Sequence, residues 1–129
     1  RQGKEVAGAV LNDIGTLYQE GVGIPVDKHQ AEYWFRQAIS AGDRMYAPSN
    51  LGDLYRKGGL GFPVSLPLAM QAYRLSEDPY AHYRIGQAYE EGWNGDPDPE
   101  KAFYWYRKAA DEGHHLAIRR LRKADGEEE

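Results

Sequence analysis

One glycine recurs three times inside what reads as the same helix. The segments are Ile14-Gly15-Thr16-Leu17-Tyr18-Gln19-Glu20-Gly21, Leu51-Gly52-Asp53-Leu54-Tyr55-Arg56-Lys57-Gly58 and Ile85-Gly86-Gln87-Ala88-Tyr89-Glu90-Glu91-Gly92. Self-similarity at a fixed period is the signature of a repeat architecture. The inner glycines lie 37 and 34 residues apart. Gly inside a helix costs about 1 kcal/mol relative to Ala, so the same cost at one register in three copies calls for a cause. Close approach of a paired helix, with a bulky Trp or Tyr lying over the missing side chain, supplies one.

A second block follows each first block. It reads Ala31-Glu32-Tyr33-Trp34-Phe35-Arg36-Gln37-Ala38, Ala69-Met70-Gln71-Ala72-Tyr73-Arg74-Leu75-Ser76 and Ala102-Phe103-Tyr104-Trp105-Tyr106-Arg107-Lys108-Ala109. The step from the inner Gly to the leading Ala is 16, 17 and 16 residues. Both blocks carry helical periodicity. Ala47, Leu51, Leu54 and Tyr55 fall on one face, as do Ala102, Trp105, Tyr106 and Ala109. Asp27, Ser65 and Asp98, each four residues before the leading Ala, are N-cap types, and Pro99 suits the first helical position. Asp27 and Gln30 have capping-box spacing. Gly- and Pro-rich stretches separate the blocks, and Gly42 and Gly113 are placed to close the second helices. The unit is a helix–turn–helix.

Composition agrees with this reading. Of 129 residues, 15 are Gly, 10 are Tyr and none is Cys. Disordered chains are poor in aromatics, and this chain is 12% aromatic and 41% hydrophobic. Lacking Cys, it has no disulfide, thiol nucleophile or thiolate metal site. Its 16 basic and 20 acidic residues leave a net charge of −4, which argues against nucleic acid as a partner. No apolar run approaches the roughly 18 residues that span a bilayer, so no membrane insertion is expected.

These residues resemble the Sel-1-like repeat (SLR) family, a relative of the tetratricopeptide repeat. Its pattern, A-x-x-x-L-G-x-x-Y-x-x-G, then A-x-x-W-Y-x-x-A-A-x-x-G-x-x-x-A, is met in the third repeat by Ala81, Ile85, Gly86, Tyr89, Gly92, Asp98, Ala102, Trp105, Tyr106, Ala109, Ala110, Gly113 and Ala117. The resemblance covers residues 10 to 121. It implies an all-α, right-handed α-α superhelix of three helix–turn–helix units, over residues 10–46, 47–80 and 81–116, with a capping helix at 117–124. Residues 125–129 read as an acidic tail. The run Arg119-Arg120-Leu121-Arg122-Lys123 suits a polar cap. Upstream, Gly3 and Ala7 have the spacing of a repeat ending, so the chain reads as cut from a longer array.

The second repeat departs from the pattern. Leu75-Ser76-Glu77-Asp78-Pro79 replaces its A-A-x-x-G ending. Its second helix should be short, stopping before Pro79, which puts its stacking on the third repeat in doubt. The first repeat has Val10 where the pattern has Ala.

No chemistry emerges. His114 and His115 are adjacent and so point to different faces of a helix; they read as exposed turn residues. His29 and His82 sit in first turns, with no Ser placed beside His29 to form a triad. The stretch Asn94 to Glu100 lacks the frame of a calcium loop and reads as capping. Glu90-Glu91 and Glu77-Asp78 show no sign of desolvation. No catalytic residue, metal site or cofactor is expected.

The recurring Tyr and Trp read as core, while Trp93, Tyr46 and Tyr83 fall outside the core register and are candidates for exposed anchors. A polar stripe runs two residues before and one after each helix glycine: Asp13 and Thr16, Asn50 and Asp53, Arg84 and Gln87. It continues to Gln19, Arg56 and Glu90. These residues vary while the core recurs. The tetratricopeptide resemblance puts this stripe on the concave side and implies a scaffold or adaptor that binds a protein or peptide there. Asp13, Thr16, Asn50, Asp53, Arg56, Arg84, Gln87 and Glu90 are the candidate partner-binding residues, with Arg56 and Arg84 as anchors. The alternative is a carbohydrate or cell-wall binder that uses loop aromatics. The residues themselves assign no compartment; the resemblance leans to an extracytoplasmic one.

Overall fold

The computed structural model describes residues 2–126, and side chains from residue 6 onward. Among the described residues seven helices follow one another: α1 (Gln2–Glu20), α2 (Lys28–Ser40), α3 (Ala47–Lys57), α4 (Leu66–Arg74), α5 (Pro79–Glu91), α6 (Pro99–Asp111) and α7 (His115–Ala124). The described residues contain no strand. A single antiparallel bridge between Gly59 and Phe62 shapes the α3–α4 loop. The helices pair as α1–α2, α3–α4 and α5–α6; each pair stacks on the next, and α7 packs on α6. The architecture is an all-α helical-repeat solenoid.

Each pair is held by the same local devices. The carboxylates of Asp27 and Asp98 and the Ser65 hydroxyl accept from the backbone N–H three residues on, capping α2, α6 and α4. Their own N–H groups donate to the carbonyls of Tyr18, Tyr55 and Tyr89, at 2.9, 2.9 and 2.8 Å. That bond fastens the loop to the preceding helix identically in all three repeats. Gly21, Gly58 and Gly92, with φ of 72°, 63° and 73°, end the first helices in a conformation that L side chains resist.

The inner glycines receive an aromatic ring. A β-carbon on Gly15 would stand 2.6 Å from Cδ1 of Phe35, and one on Gly86 would stand 2.6 Å from Cδ1 of Tyr106. Tyr73 lies against Gly52 in the same way. The ring is thus at one register, four residues after Ala31, Ala69 and Ala102, and in the first repeat it is Phe rather than Tyr or Trp. All three leading alanines are fully buried, as are Ala47, Ala81 and Ala117 where each new repeat meets the last. Val10, at the register of those three, is half exposed. Gly3 and Ala7 lie within α1, which starts well ahead of the register at which α3 and α5 begin.

The second repeat keeps its stacking despite a 9-residue α4, against 13 residues in α2 and α6. Ser76 stands where Ala38 and Ala109 stand in the other repeats, and its hydroxyl organises the junction. It lies 3.0 Å from the Ser49 hydroxyl, donates to the Met45 carbonyl at 3.1 Å, and accepts from the Asp78 N–H at 3.0 Å. His82, buried at the start of α5, closes the group. Its Nδ1 is 2.6 Å from the Glu112 carboxylate and its Nε2 is 3.1 Å from the Ser76 carbonyl. A polar network replaces the missing turn, with its buried groups partnered. Asp125 caps α7; residues 127–129 of the expected acidic tail lie outside the described residues.

Candidate functional site

The solenoid presents two helical faces, one of first helices (α1, α3, α5, α7) and one of second helices. The candidate stripe lies on the first, because its positions flank the inner glycine on the polar side of each helix. Asp13 is exposed. The Thr16 hydroxyl donates back to the Asn12 carbonyl at 3.1 Å. The other six candidate partner-binding residues are part-buried and engaged with one another or with neighbouring helices.

Three of these contacts stitch each first helix to the next. Asn50 donates to Asn12 Oδ1 at 2.9 Å, joining α3 to α1. Asp53 Oδ1 accepts from the Tyr80 hydroxyl at 2.7 Å, joining α3 to α5, and also from the Tyr73 hydroxyl. Arg56 completes this cluster, with Nη2 3.3 Å from Asp53 and Nε 3.1 Å from the Tyr73 hydroxyl. Glu90 accepts from the Tyr106 hydroxyl at 2.5 Å and pairs with Arg120 of α7. Arg84 Nε donates to the Tyr80 hydroxyl at 3.0 Å and Nη1 to Gln87 at 2.6 Å; Gln87 in turn donates to Glu91 at 3.1 Å.

Burial, reinforced by the Asp53 carboxylate, pushes the Tyr73 hydroxyl well above the ordinary phenol range and raises that of Tyr80. Burial with Glu90 does the same to Tyr106. These hydroxyls therefore stay protonated as donors. The hydrogen bond from Arg120 holds the Glu90 carboxyl below the usual carboxylate range.

Sequence reasoning missed a second recurring link. Arg36 and Arg74, each five residues after the leading Ala, reach the Tyr that follows the inner Gly of the next repeat. Arg36 donates to the Tyr55 hydroxyl at 2.5 Å, and Arg74 donates to that of Tyr89. Their guanidinium carbons lie 5.8 and 5.6 Å from those ring centroids. The recurrence of Arg36, Arg74 and Arg107 at one spacing is the signal that could have shown it.

Several aromatics and histidines are placed differently from expectation. Trp93 is 8% exposed, packs into the core and donates its indole N–H to Glu91 at 2.8 Å, so it is no surface anchor. Tyr46 is 63% exposed; Tyr83 is half-buried between Tyr106 and His114. Of the recurring aromatics Phe35, Tyr55, Tyr73 and Tyr106 are buried in the core; Tyr18, Tyr89, Trp34 and Trp105 are half-buried, and Tyr33 and Tyr104 are exposed. His82 is buried, as described. His114 is not an exposed turn residue but half-buried against Tyr80 and Tyr83, and burial, with His115 beside it, lowers its pKa.

A cleft of about 330 Å³ opens between α4, α5 and the loop before α6. Tyr89, the aromatic in its wall, is already covered by Arg74 and Lys101, each 5.6 Å from its centroid. That leaves little open ring for a sugar to stack on. Among the described residues no His, Asp and Glu cluster could hold a metal ion, and no helix is long and apolar enough to cross a membrane.

The family model described as Sel1 repeat matches residues 9–43 and 79–114, the first and third repeats. Chitin synthase regulatory factor 4 of Schizosaccharomyces pombe is 33% identical over 112 residues, covering 84% of this chain and 17% of its own length. The Sel1 repeat protein from Oxalobacter formigenes is 32% identical with a TM-score of 0.80, covering 88% of this chain and 47% of that one. The protective antigen c5321 from uropathogenic Escherichia coli strains, which displays an SLR fold, is 26% identical with a TM-score of 0.76 and covers 88% of this chain and 25% of that one. The chain thus spans less than half the length of each of these relatives.

Proposed function

The chain belongs to the Sel1 repeat family, and from that premise we propose that it is a scaffold or adaptor module whose α1, α3 and α5 face binds a peptide or protein partner. Sel1 repeats are in general protein–protein interaction modules of a non-catalytic scaffold type. The observation that carries the reading is a contrast at fixed register. Leading alanines, ring positions and loop bonds repeat in type and burial, whereas the stripe reads Asp13, Asn50, Arg84 and then Thr16, Asp53, Gln87. A scaffold kept constant beneath a varied face is the arrangement by which repeat proteins present a binding surface. The tetratricopeptide resemblance puts that face on the concave side.

The stitching bonds support the same reading in a second way. They hold the side chains rigid before any partner arrives, which lowers the entropy lost on binding. The relative named as a chitin synthase regulatory factor carries a regulatory name, consistent with a module that acts through a bound protein.

The test is affinity capture from the source cells with three forms of the chain. Substituting Asp13→Arg, Thr16→Arg and Gln87→Arg should abolish capture of the partner held by the wild type. Substituting Tyr104→Arg and Arg107→Glu on α6 should leave it unchanged. Loss with the α6 variant and retention with the stripe variant would overturn the assignment of the face.

A further inference from the structure

Three part-buried arginines lie on the first-helix face, and two of them are neutralised within the fold. Arg56 is 3.3 Å from Asp53, and Arg120 is paired with Glu90. Arg84 has no carboxylate within ion-pair distance among the described residues. Its guanidinium is nonetheless fixed. Nε is held by the Tyr80 hydroxyl and Nη1 by Gln87. The guanidinium carbon lies 5.2 Å from the Tyr80 ring centroid and 5.6 Å from that of Tyr83. Nη2 has no acceptor among the described residues, and it is not one of the buried side-chain nitrogens left without a partner, so its N–H groups reach solvent.

An unpaired, immobilised guanidinium with one free nitrogen is a preformed donor for an anion. The surrounding charge points the same way. At the register of Arg84 the successive first helices carry Asp13, Asn50, Arg84 and Arg120, so this row of the face runs from acidic to basic along the solenoid. Arg120 is already spent on Glu90, which leaves Arg84 as the open positive point. Tyr83 beside it offers a half-buried ring against which a peptide backbone can lie.

We propose that Arg84 receives a carboxylate of the partner, so that the occupant of this face is an acidic peptide segment whose carboxylate docks on Arg84 between Tyr80 and Tyr83. The proposal rests on the interaction-face reading and deepens it. A nucleic acid does not fit, because it presents a run of phosphates, whereas the neighbouring arginines of the face are neutralised and only one positive point is open.

The probe is a blocked peptide, acetyl-(Gly-Glu)3-amide, with acetyl-(Gly-Gln)3-amide as its neutral twin. Each is titrated into the ¹⁵N-labelled chain while the arginine Nε–Hε and backbone amide signals are followed. The Glu peptide should shift the Arg84 Nε–Hε signal to saturation, and the Gln peptide should leave it in place. Arg84→Gln should weaken Glu-peptide binding about tenfold. Arg84→Lys, which keeps the charge and loses the fork, should weaken it less, and Arg107→Gln on α6 should not change it. Equal binding of both peptides, or Glu-peptide binding that survives Arg84→Gln in a folded variant, overturns the proposal while leaving the face itself in play. Inorganic phosphate that shifts Arg84 with the same affinity as the peptide also overturns it, since the site would then be a general anion spot. If Arg84 responds as expected and the capture experiment still maps the partner to α6, it is the face reading that fails.

Discussion

The side chain of Tyr106 occupies the space that a β-carbon on Gly86 would need, its Cδ1 standing 2.6 Å from that point. In a free helix Gly→Ala gains about 1 kcal/mol. Here the ring is 2% exposed and has no room to retreat. Gly86→Ala is therefore expected to destabilise the chain by about 2 kcal/mol, through overpacking. Gly52→Val, against the fully buried Tyr73, should cost more. Urea unfolding followed by circular dichroism measures both. A Gly52→Val variant that melts within a degree or two of the wild type would contradict this packing.

Asp53 accepts from Tyr73, Tyr80 and Arg56 at once, so the three partners should be coupled through it. Tyr73→Phe removes one donor and should cost about 1 kcal/mol. Asp53→Ala strands the buried Tyr73 hydroxyl and the Arg56 charge together and should cost about 3 kcal/mol. A double-mutant cycle between the two should show the energies to be non-additive. Additive energies would mean that the Tyr73–Asp53 bond contributes little.

The Glu90–Arg120 pair makes stability depend on pH. The hydrogen bond from Arg120 lowers the folded-state pKa of Glu90. A depressed carboxylate contributes its stability above the unfolded value, near 4.3 for Glu, and loses it as pH falls through the folded value. Glu90→Gln should therefore unfold more readily than the wild type at pH 7, with the difference shrinking as pH is lowered through the acid range. A difference that stays constant across that range would remove the pair as its source.

His82 carries the junction where α4 is short. With its ring between Glu112 and the Ser76 carbonyl, His82→Ala leaves a cavity and unpartnered polar groups. A loss of about 2–3 kcal/mol is expected. Hydrogen exchange should show the loosening at the α4–α5 junction before it reaches α1 and α2.

The helix pairs, the caps and the ring over each inner glycine were legible because a repeat states each instruction three times. Asp27, Ser65 and Asp98 cap where their spacing put them, and Gly15, Gly52 and Gly86 each meet a ring. What was not legible lies where one repeat differs from the others. Ser76 in place of an alanine, and His82 reaching Glu112 across 30 residues, belong to one junction and have no second copy to reveal them. Trp93 misled for the same reason: it occurs in one loop only, and its burial depends on how that loop folds back over Tyr73. The stripe could be located from register alone. That its residues hydrogen-bond from helix to helix could not be read, because those contacts depend on how far each helix turns relative to the last.

Site-specific photo-cross-linking in the source cells tests the central claim, that the first-helix face holds the partner. A cross-linker is placed at Asp13 on α1 and, separately, at Tyr104 on α6, both exposed positions. The Asp13 position should yield a discrete cross-linked species that an excess of unlabelled chain competes away, and the Tyr104 position should yield none. A competed species from Tyr104 alone would place the partner on the second-helix face and contradict the account.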